Sequence, residues 1–478
     1  MKITIIGGGI AGLAAAHYAA KKLPDSEIIL IESSNGWGGK IFTDRVNFDD
    51  GQFIIEGGPD TFLAAKPYAI ALCRELGLGE RLHGTNLKQK NTYVLHRNKL
   101  EPLPDGLAMM IPTNIEAILK THLVSSFGKA RMGFDFLQPA KAIDDDESLG
   151  TFVSRRLGRE AYENLIEPLM SGIYAGDGDQ LSLASTFPYL REIELKYGSL
   201  ARGALKMRAQ SNGKSVQGSR SAFLTPTTGL AEIVEALVNY LEAGDVRLRL
   251  NASVSQVLKI DSRYIVKLDD TSSFDSDAVI LATPAYVSGR LLASFNPRLA
   301  SSLKGIPYAS TATISLAYRQ GDLPHELDGY GYVIPRREGR KALACTWTST
   351  KFPHRAPDGY ALIRVFVGRA GQDIPWNYDE LLELATEEVK LTLGITAQPF
   401  LHRTFMWDKA MPQYNLGHPE KLKQIDTALE NHPGLALAGN GYRGIGIPDC
   451  IHSGELAVEK IQKSMSLRPN GVSEAISH

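Results

Sequence analysis

The chain has 478 residues, a formal net charge of −1 and a pI of about 6.8, so no global basicity directs it toward nucleic acid. With 43% hydrophobic and 22% charged residues its composition is that of an ordinary globular protein of several domains, and no apolar run is long enough to cross a bilayer. Three distant cysteines (Cys73, Cys345, Cys450) and eleven scattered histidines predict reduced thiols in the cytoplasm, no disulfide framework and no metal site.

Residues 2–17, KITIIGGGIAGLAAAH, predict a short buried strand, a glycine turn and an Ala-rich helix. A strand opening at Lys2 leaves no room for a removable signal segment. Gly7, Gly9 and Gly12 stand in G-x-G-x-x-G spacing, with Gly8, Ile10 and Ala11 between them. Gly7 permits the tight turn, Gly9 lets the backbone approach a pyrophosphate, and Gly12 lets helix and strand pack closely. The helix N-terminus then offers free N–H groups to the phosphates. Glu32, twenty residues past Gly12 at the end of the run EIILIE, is placed to accept hydrogen bonds from ribose hydroxyls. Together these features predict a dinucleotide-binding unit over about residues 1–60.

A second glycine pair lies in WGGK at 37–40, where Lys40 offers a charge, and a third in EGGPDTF at 56–62. An amphipathic helix then stops at Gly77, and TYVLHRNKLEPLPDG at 92–106 reads as a hairpin. Residues 114–210 are mostly helix-patterned, with the acidic Asp144–Glu147 as an N-terminal signal before SLGTFVSRRLG. From Lys196 to Arg220 there are six basic residues and no acid, which fits either a solvated loop or a docking surface. Residues 225–244 read as loop and helix, 247–260 and 263–270 alternate like antiparallel strands, and SDAVILATP at 276–284 reads as a buried strand. Strand-like runs fill 306–368, and 378–393 predicts an amphipathic helix. Residues 434–461 again give strand, glycine-rich turn (GNGYRGIGIPD, 439–449) and a helix from near Cys450, whose N-terminus can face the carbonyl edge of a ring. The polar tail 468–478 is expected to fray. Three returns to strand–glycine–helix chemistry predict one nucleotide domain built from distant pieces. Four glycine clusters exceed the needs of a nicotinamide dinucleotide and fit a flavin dinucleotide.

The motifs IIGGGIAGLAAA, IESS, WGGKIFT, IEGGPDTFLAAKP, ENLIEPLMSGIYAGD, LSLASTFPYL, MWDKAMPQYNLGH and LAGNGYRGIGIPDCIHSG follow one another over about residues 1–463. With them the chain resembles the protoporphyrinogen/coproporphyrinogen oxidase family of the flavin amine-oxidase superfamily. SGIYAGD, MPQY…GH and GIPDCI set it apart from monoamine oxidases and phytoene desaturases. The resemblance is greatest to the soluble bacterial branch that acts on coproporphyrinogen III. It implies an α/β fold with a Rossmann-like FAD-binding domain assembled from discontinuous segments, 1–65, 215–285 and 430–465. A mixed α+β substrate domain (66–113 and 286–429) and a helical domain (114–214) complete it.

The resemblance also implies noncovalent FAD. Gly7, Gly8, Gly9, Ile10, Ala11 and Gly12 would cradle the pyrophosphate, and Glu32 with Ser33 would hold the adenosine ribose. Lys40, Gly57, Gly58, Pro59 and Asp60 would lie along the cofactor, Val254 would give a backbone adenine contact, and Trp407 would lie near the flavin. Ile445, Gly446 and Ile447 would meet the isoalloxazine end. Many members carry arginine where Gly36 stands, so a cation near the phosphates is missing here and Lys40 is its candidate replacement.

The implied reaction is a six-electron oxidation in three rounds, each passing a hydride from the macrocycle to flavin N5 with loss of a pyrrolic proton. Dioxygen then reoxidises the flavin and yields hydrogen peroxide. No protein base is assigned. A porphyrinogen needs an apolar slot and cations for its propionates; Lys66 is the candidate anchor, while Tyr174 and Met406 are candidate walls. Each also has an ordinary reading, a solvated lysine or a packed core side chain. Besides porphyrinogen and dioxygen, the expected partners are the next haem-pathway enzyme or an anionic membrane surface, docking through 196–220. Three alternatives stay open: protoporphyrinogen IX as substrate, an amine oxidase or desaturase of the same fold, and a flavin-binding partner without turnover.

Overall fold

Five short apolar strands from widely separated parts of the chain form a parallel sheet in the order Val246–Arg249, Glu27–Ile31, Lys2–Ile6, Ala278–Leu281 and Leu435–Leu437. Ala278–Leu281 is buried along its whole length, the unalternating pattern of a strand covered on both faces. The computed structural model describes residues 1–48, 51–108, 110–141, 145–211 and 221–466. Asp144, the 212–220 part of the basic run and the tail 468–478 lie outside the described residues.

The helix Ile10–Lys22 packs between the sheet and the last helix, Ile447–Ser466. Both contacts depend on missing side chains. A Cβ on Gly12 would stand 1.8 Å from the Gly7 carbonyl oxygen, and one on Gly454 would stand 2.5 Å from that of Ala11. The last helix begins at Ile447, half a turn or more ahead of the expected Cys450.

One sequence expectation fails in this layer. Residues 246–249 do not pair antiparallel but run parallel to Glu27–Ile31, from Val246 opposite Ile28 to Arg249 opposite Ile31. Their alternation reflects an edge position with one side toward solvent, not an antiparallel partner. The antiparallel reading holds for Val254–Ile260 and Arg263–Leu268, to which Ser273–Ser276 adds a third strand.

A second, seven-stranded sheet runs in the order Leu401–Pro412, Tyr308–Arg319, Tyr360–Val367, Ala342–Trp347, Gly329–Val333, Asn91–His96 and Lys99–Pro102. The expected hairpin forms its outer edge. The helix Tyr378–Leu393, with the predicted bounds, covers one face through Leu381, Ala385, Val389 and Leu393. Asn377 caps it by accepting from the N–H groups of Asp379 and Glu380, and Gly394 ends it at φ +69°. Strand alternation sends Ile363, Val365 and Val367 toward that helix, while Phe366 faces the other way.

Residues 114–211 hold helices from Ile115–Lys120 to Leu200–Ser211, around a core that includes Phe152, Leu165 and Met170. Ser148 caps Leu149–Leu157 by accepting from Thr151 N–H. The helix Glu167–Tyr174 carries its C-terminal end to the uncovered face of the seven-stranded sheet. Among the described residues no helix is long and apolar enough to cross a membrane.

The 1.8 Å approach predicts that Gly12→Ala destabilises the fold by about 2–3 kcal/mol, since backbone cannot yield as a side chain can. Urea unfolding checks this; a loss below about 0.5 kcal/mol would show that the strand–helix turn has slack.

Candidate cofactor and substrate site

The glycine clusters and the uncovered face of the second sheet enclose one cavity of about 2250 Å³. That is more than twice the roughly 300–1,000 Å³ of a pocket for one drug-sized ligand. At one end it touches Gly7, Gly9, Ile10 and Ala11, then Glu32, Ser33 and Val254. Glu32 accepts from Gly8 N–H at 2.6 Å and from Ser34 N–H at 2.8 Å, which fixes its carboxylate at the strand end. Gly38 N–H donates to the Gly8 carbonyl at 2.8 Å, so the second glycine pair stacks on the first.

Lys40 follows on the cavity wall. Burial pushes its pKa down, partly opposed by Cys450 nearby, and among the described residues no carboxylate pairs with it. Gly36 has open space where a side chain would point.

The third cluster is held by an ionic network that the sequence reading missed. The Gly57 carbonyl accepts from Trp407 Nε1 at 2.8 Å, Thr313 Oγ1 at 2.9 Å and Arg364 Nη2 at 3.2 Å. Arg364 Nη2 also reaches the Gly58 carbonyl, and a Cβ on Gly58 would stand 1.9 Å from the Lys40 carbonyl oxygen. Behind this turn Glu56 accepts from Arg355 Nη1 at 2.8 Å, Leu230 N–H at 2.8 Å and Thr43 Oγ1 at 2.6 Å. Asp60 accepts from Lys351 Nζ at 3.1 Å. Burial would raise the Asp60 carboxyl, but Lys351, Arg364 and Arg355 together hold it well below the usual carboxylate range. Burial pushes Glu56 up despite Arg355, and lowers Arg364 to about 10.

The fourth cluster closes the opposite side, with Ile445, Gly446 and Ile447 on the wall at the start of the last helix. Asp449, in the first turn of this helix, accepts from Lys66 Nζ at 2.5 Å. The same cavity includes an apolar chamber walled by Ile173, Tyr174, Phe223, Val333, Leu343 and Phe366. Tyr174 is buried edge-on to Phe187 and Tyr414, and burial raises its phenol above the ordinary range.

Most of the expected residues therefore meet in one place: Gly7, Gly9, Ile10, Ala11, Glu32, Ser33, Lys40, Gly58, Pro59, Asp60, Val254, Trp407 and Ile445–Ile447, with Lys66 and Tyr174 farther along. Gly8, Gly12 and Gly57 stand behind the wall and support it. A Cβ on Gly8, for example, would strike the Trp37 ring at 2.5 Å. Met406 is a correction. Its strand alternates faces, so Trp407 lines the cavity while Met406 packs in the cluster beneath the helix Tyr378–Leu393. The sequence reading quoted Asp449 within GIPDCI without a role and passed over Lys351, Arg355 and Arg364 altogether; the alternation in YALIRVFV was the one local signal that Arg364 and Phe366 share a face.

A Rossmann-like sheet whose glycine turns open into a chamber under a second sheet defines a dinucleotide-dependent oxidoreductase. The chain belongs to the flavin-containing amine oxidoreductase family, whose model matches residues 10–462. It is 39% identical to the coproporphyrinogen III oxidase of Bacillus subtilis, over 95% of this chain and 97% of that protein. The coproporphyrinogen III oxidase of Staphylococcus aureus is 34% identical over 96% of this chain and 98% of its own. The crystal structure of a candidate protoporphyrinogen oxidase from Exiguobacterium superposes with a TM-score of 0.85 at 32% identity, covering 97% of this chain and 99% of that one. FAD is accordingly the cofactor. The residues present fit it: glycine turns leave the wall bare of side chains, and Lys40 is a half-buried cation on the wall with no carboxylate paired to it among the described residues.

Asp60 yields a test with a definite sign. A carboxyl held below its unfolded value stabilises the fold fully above about pH 4, and that contribution is lost as pH falls toward the folded value. Asp60→Asn is expected to cost about 2–3 kcal/mol at neutral pH, with the gap to the parent closing on acidification. Urea melts at neutral and acid pH would show it, and a constant gap would refute the assignment.

Proposed function

We propose that this enzyme oxidises coproporphyrinogen III to coproporphyrin III in haem biosynthesis. The observation that carries the reading is the continuity of the cavity: a glycine-lined half suited to a dinucleotide opens into an apolar chamber with lysines at its wall. The names borne by the bacterial relatives support the same substrate. When bound, FAD supplies two-electron redox chemistry, three rounds of which complete the oxidation while dioxygen is reduced to hydrogen peroxide.

The chain's own residues bind, orient and exclude water. Glu32 and Ser33 hold the ribose end, the turns at Gly7–Gly9 and Gly38–Gly39 admit the pyrophosphate, and Lys40 supplies a positive charge. The Gly57–Asp60 turn, Trp407 and Ile445–Ile447 fix the redox-active ring against the chamber. Val333, Leu343 and Phe366 keep the chamber dry, and Tyr174 lies along the macrocycle. Lys66 anchors a propionate in exchange with Asp449, its partner in the free enzyme. FAD is held noncovalently, consistent with a buried Cys450 whose thiol burial pushes up to about 12. The protein works in the cytoplasm. Its basic stretch from Lys196, with Lys196 and Lys206 both against the Tyr197 ring, docks on an anionic membrane or on the enzyme that takes the porphyrin next.

One observation favours protoporphyrinogen IX instead: Lys66 and Lys351, two lysines of the cavity wall, each already have an aspartate partner, which suits a substrate with fewer carboxylates. Porphyrin fluorescence in air, with both porphyrinogens under one set of conditions, separates the readings. Faster oxidation of coproporphyrinogen III is expected. Faster oxidation of protoporphyrinogen IX would establish the second reading. Turnover of neither by the FAD-loaded protein would leave an amine oxidase, a desaturase or a flavin-binding partner. Lys66→Met is expected to raise KM for coproporphyrinogen III about threefold, a modest loss for a side chain 43% exposed; an unchanged KM would remove Lys66 from the site.

A further inference from the structure

Two of the lysines that line the cavity, Lys66 and Lys351, differ in their surroundings. Lys66 forms a one-to-one pair with Asp449. Lys351 pairs with Asp60, but Asp60 is shared with Arg355 and Arg364, and Glu56 is the second acid of the group. Three cations thus face two carboxylates, and burial pushes the Glu56 carboxyl up despite Arg355. The group is also short of acceptors: Arg355 Nε and Arg364 Nε and Nη1 are buried without one. Of its three cations only Lys351 reaches the cavity wall. Its side chain is 14% exposed, and its ammonium lies 5.7 Å from the centre of the Phe223 ring and 5.4 Å from that of Phe352. An ammonium has three donors, and the Asp60 carboxylate engages one.

We propose that Lys351 binds a carboxylate of the substrate, with Asp60, Arg355 and Arg364 as its fixed backing. The proposal rests on the reading that the chamber takes a tetrapyrrole acid. An incoming carboxylate adds negative charge to a group with more cations than carboxylates and accepts from a donor of the Lys351 ammonium that Asp60 leaves open, whereas at Lys66 the single cation is already balanced by Asp449. The low exposure of Lys351 strengthens a charge-assisted hydrogen bond relative to one in open solvent. Phe223, which lines the cavity beside it, offers an apolar face to the macrocycle.

The test uses FAD-loaded enzyme with coproporphyrin III and its tetramethyl ester, followed by quenching of porphyrin fluorescence. Lys351→Met is expected to weaken coproporphyrin III binding about tenfold, the worth of one charge-assisted hydrogen bond, and to leave the ester unaffected. Lys351→Arg keeps the charge and should bind within about threefold of the parent. In turnover the loss falls on KM rather than kcat. Should the methionine variant not fold, acetylation of the parent enzyme read by peptide mass spectrometry still decides: coproporphyrin III, but not the ester, slows modification of Lys351. Equal affinity of parent and methionine variant, or no protection of Lys351, overturns the proposal while leaving the proposed function intact. If the parent enzyme binds no coproporphyrin III, both fall.

Discussion

The arrangement of the molecule depends on one carbonyl. Gly57 presents its oxygen to Trp407, Thr313 and Arg364, three donors from three neighbouring strands of the seven-stranded sheet. The strand that ends at Glu56 belongs to the N-terminal part of the chain, so this carbonyl fastens the nucleotide-binding segments to the substrate sheet. Glu56 extends the bond to Thr43, Leu230 and Arg355. Without side chains at Gly57 and Gly58, the turn can enter between Phe42, Phe405 and the Lys40 carbonyl. Removing one member of a buried ionic group generally costs about 3–5 kcal/mol, because the remaining charge keeps its desolvation penalty and loses its partner.

That fastening also shapes the electrostatics of the site. The cations needed to hold the turn sit just behind the wall against which ligands are placed, so structure and binding draw on the same charges. The far side of the cavity is built on a different principle. There the last helix offers its N-terminus at Gly446–Ile447, and the local ion pair between Lys66 and Asp449 is balanced. A charge surplus on one wall and a balanced pair on the other orient an anionic ligand even where most of the contact area is apolar.

What was legible in the sequence was local. The first glycine motif and Glu32 could be read from spacing within about thirty residues, and the helix Tyr378–Leu393 from its period and its Asn377 and Gly394 ends. Pairing was not legible. Residues 246–249 alternate, yet their partner is a parallel strand more than two hundred positions earlier. Met406 and Trp407 are adjacent and both apolar, and only the strand's register decides which one faces the cavity. The ionic network was invisible for the same reason. Arg355 lies 299 positions from Glu56, Lys351 lies 291 from Asp60, and Asp449 lies 383 from Lys66. No short motif can report such distances; only the folded chain brings them together.

The strand order of the parallel sheet carries a further consequence. Its central strand precedes the other four in the chain, and an edge strand, Leu435–Leu437, is the last of the five. The helix that closes the cavity, Ile447–Ser466, comes later still. Through most of synthesis the apolar faces of Lys2–Ile6 and Ile10–Lys22 therefore have no permanent cover, a long interval in which exposed strands are prone to aggregate. Residues 442–450 line the same cavity as Gly9–Ala11, so holding FAD reports that segments more than four hundred positions apart have come together.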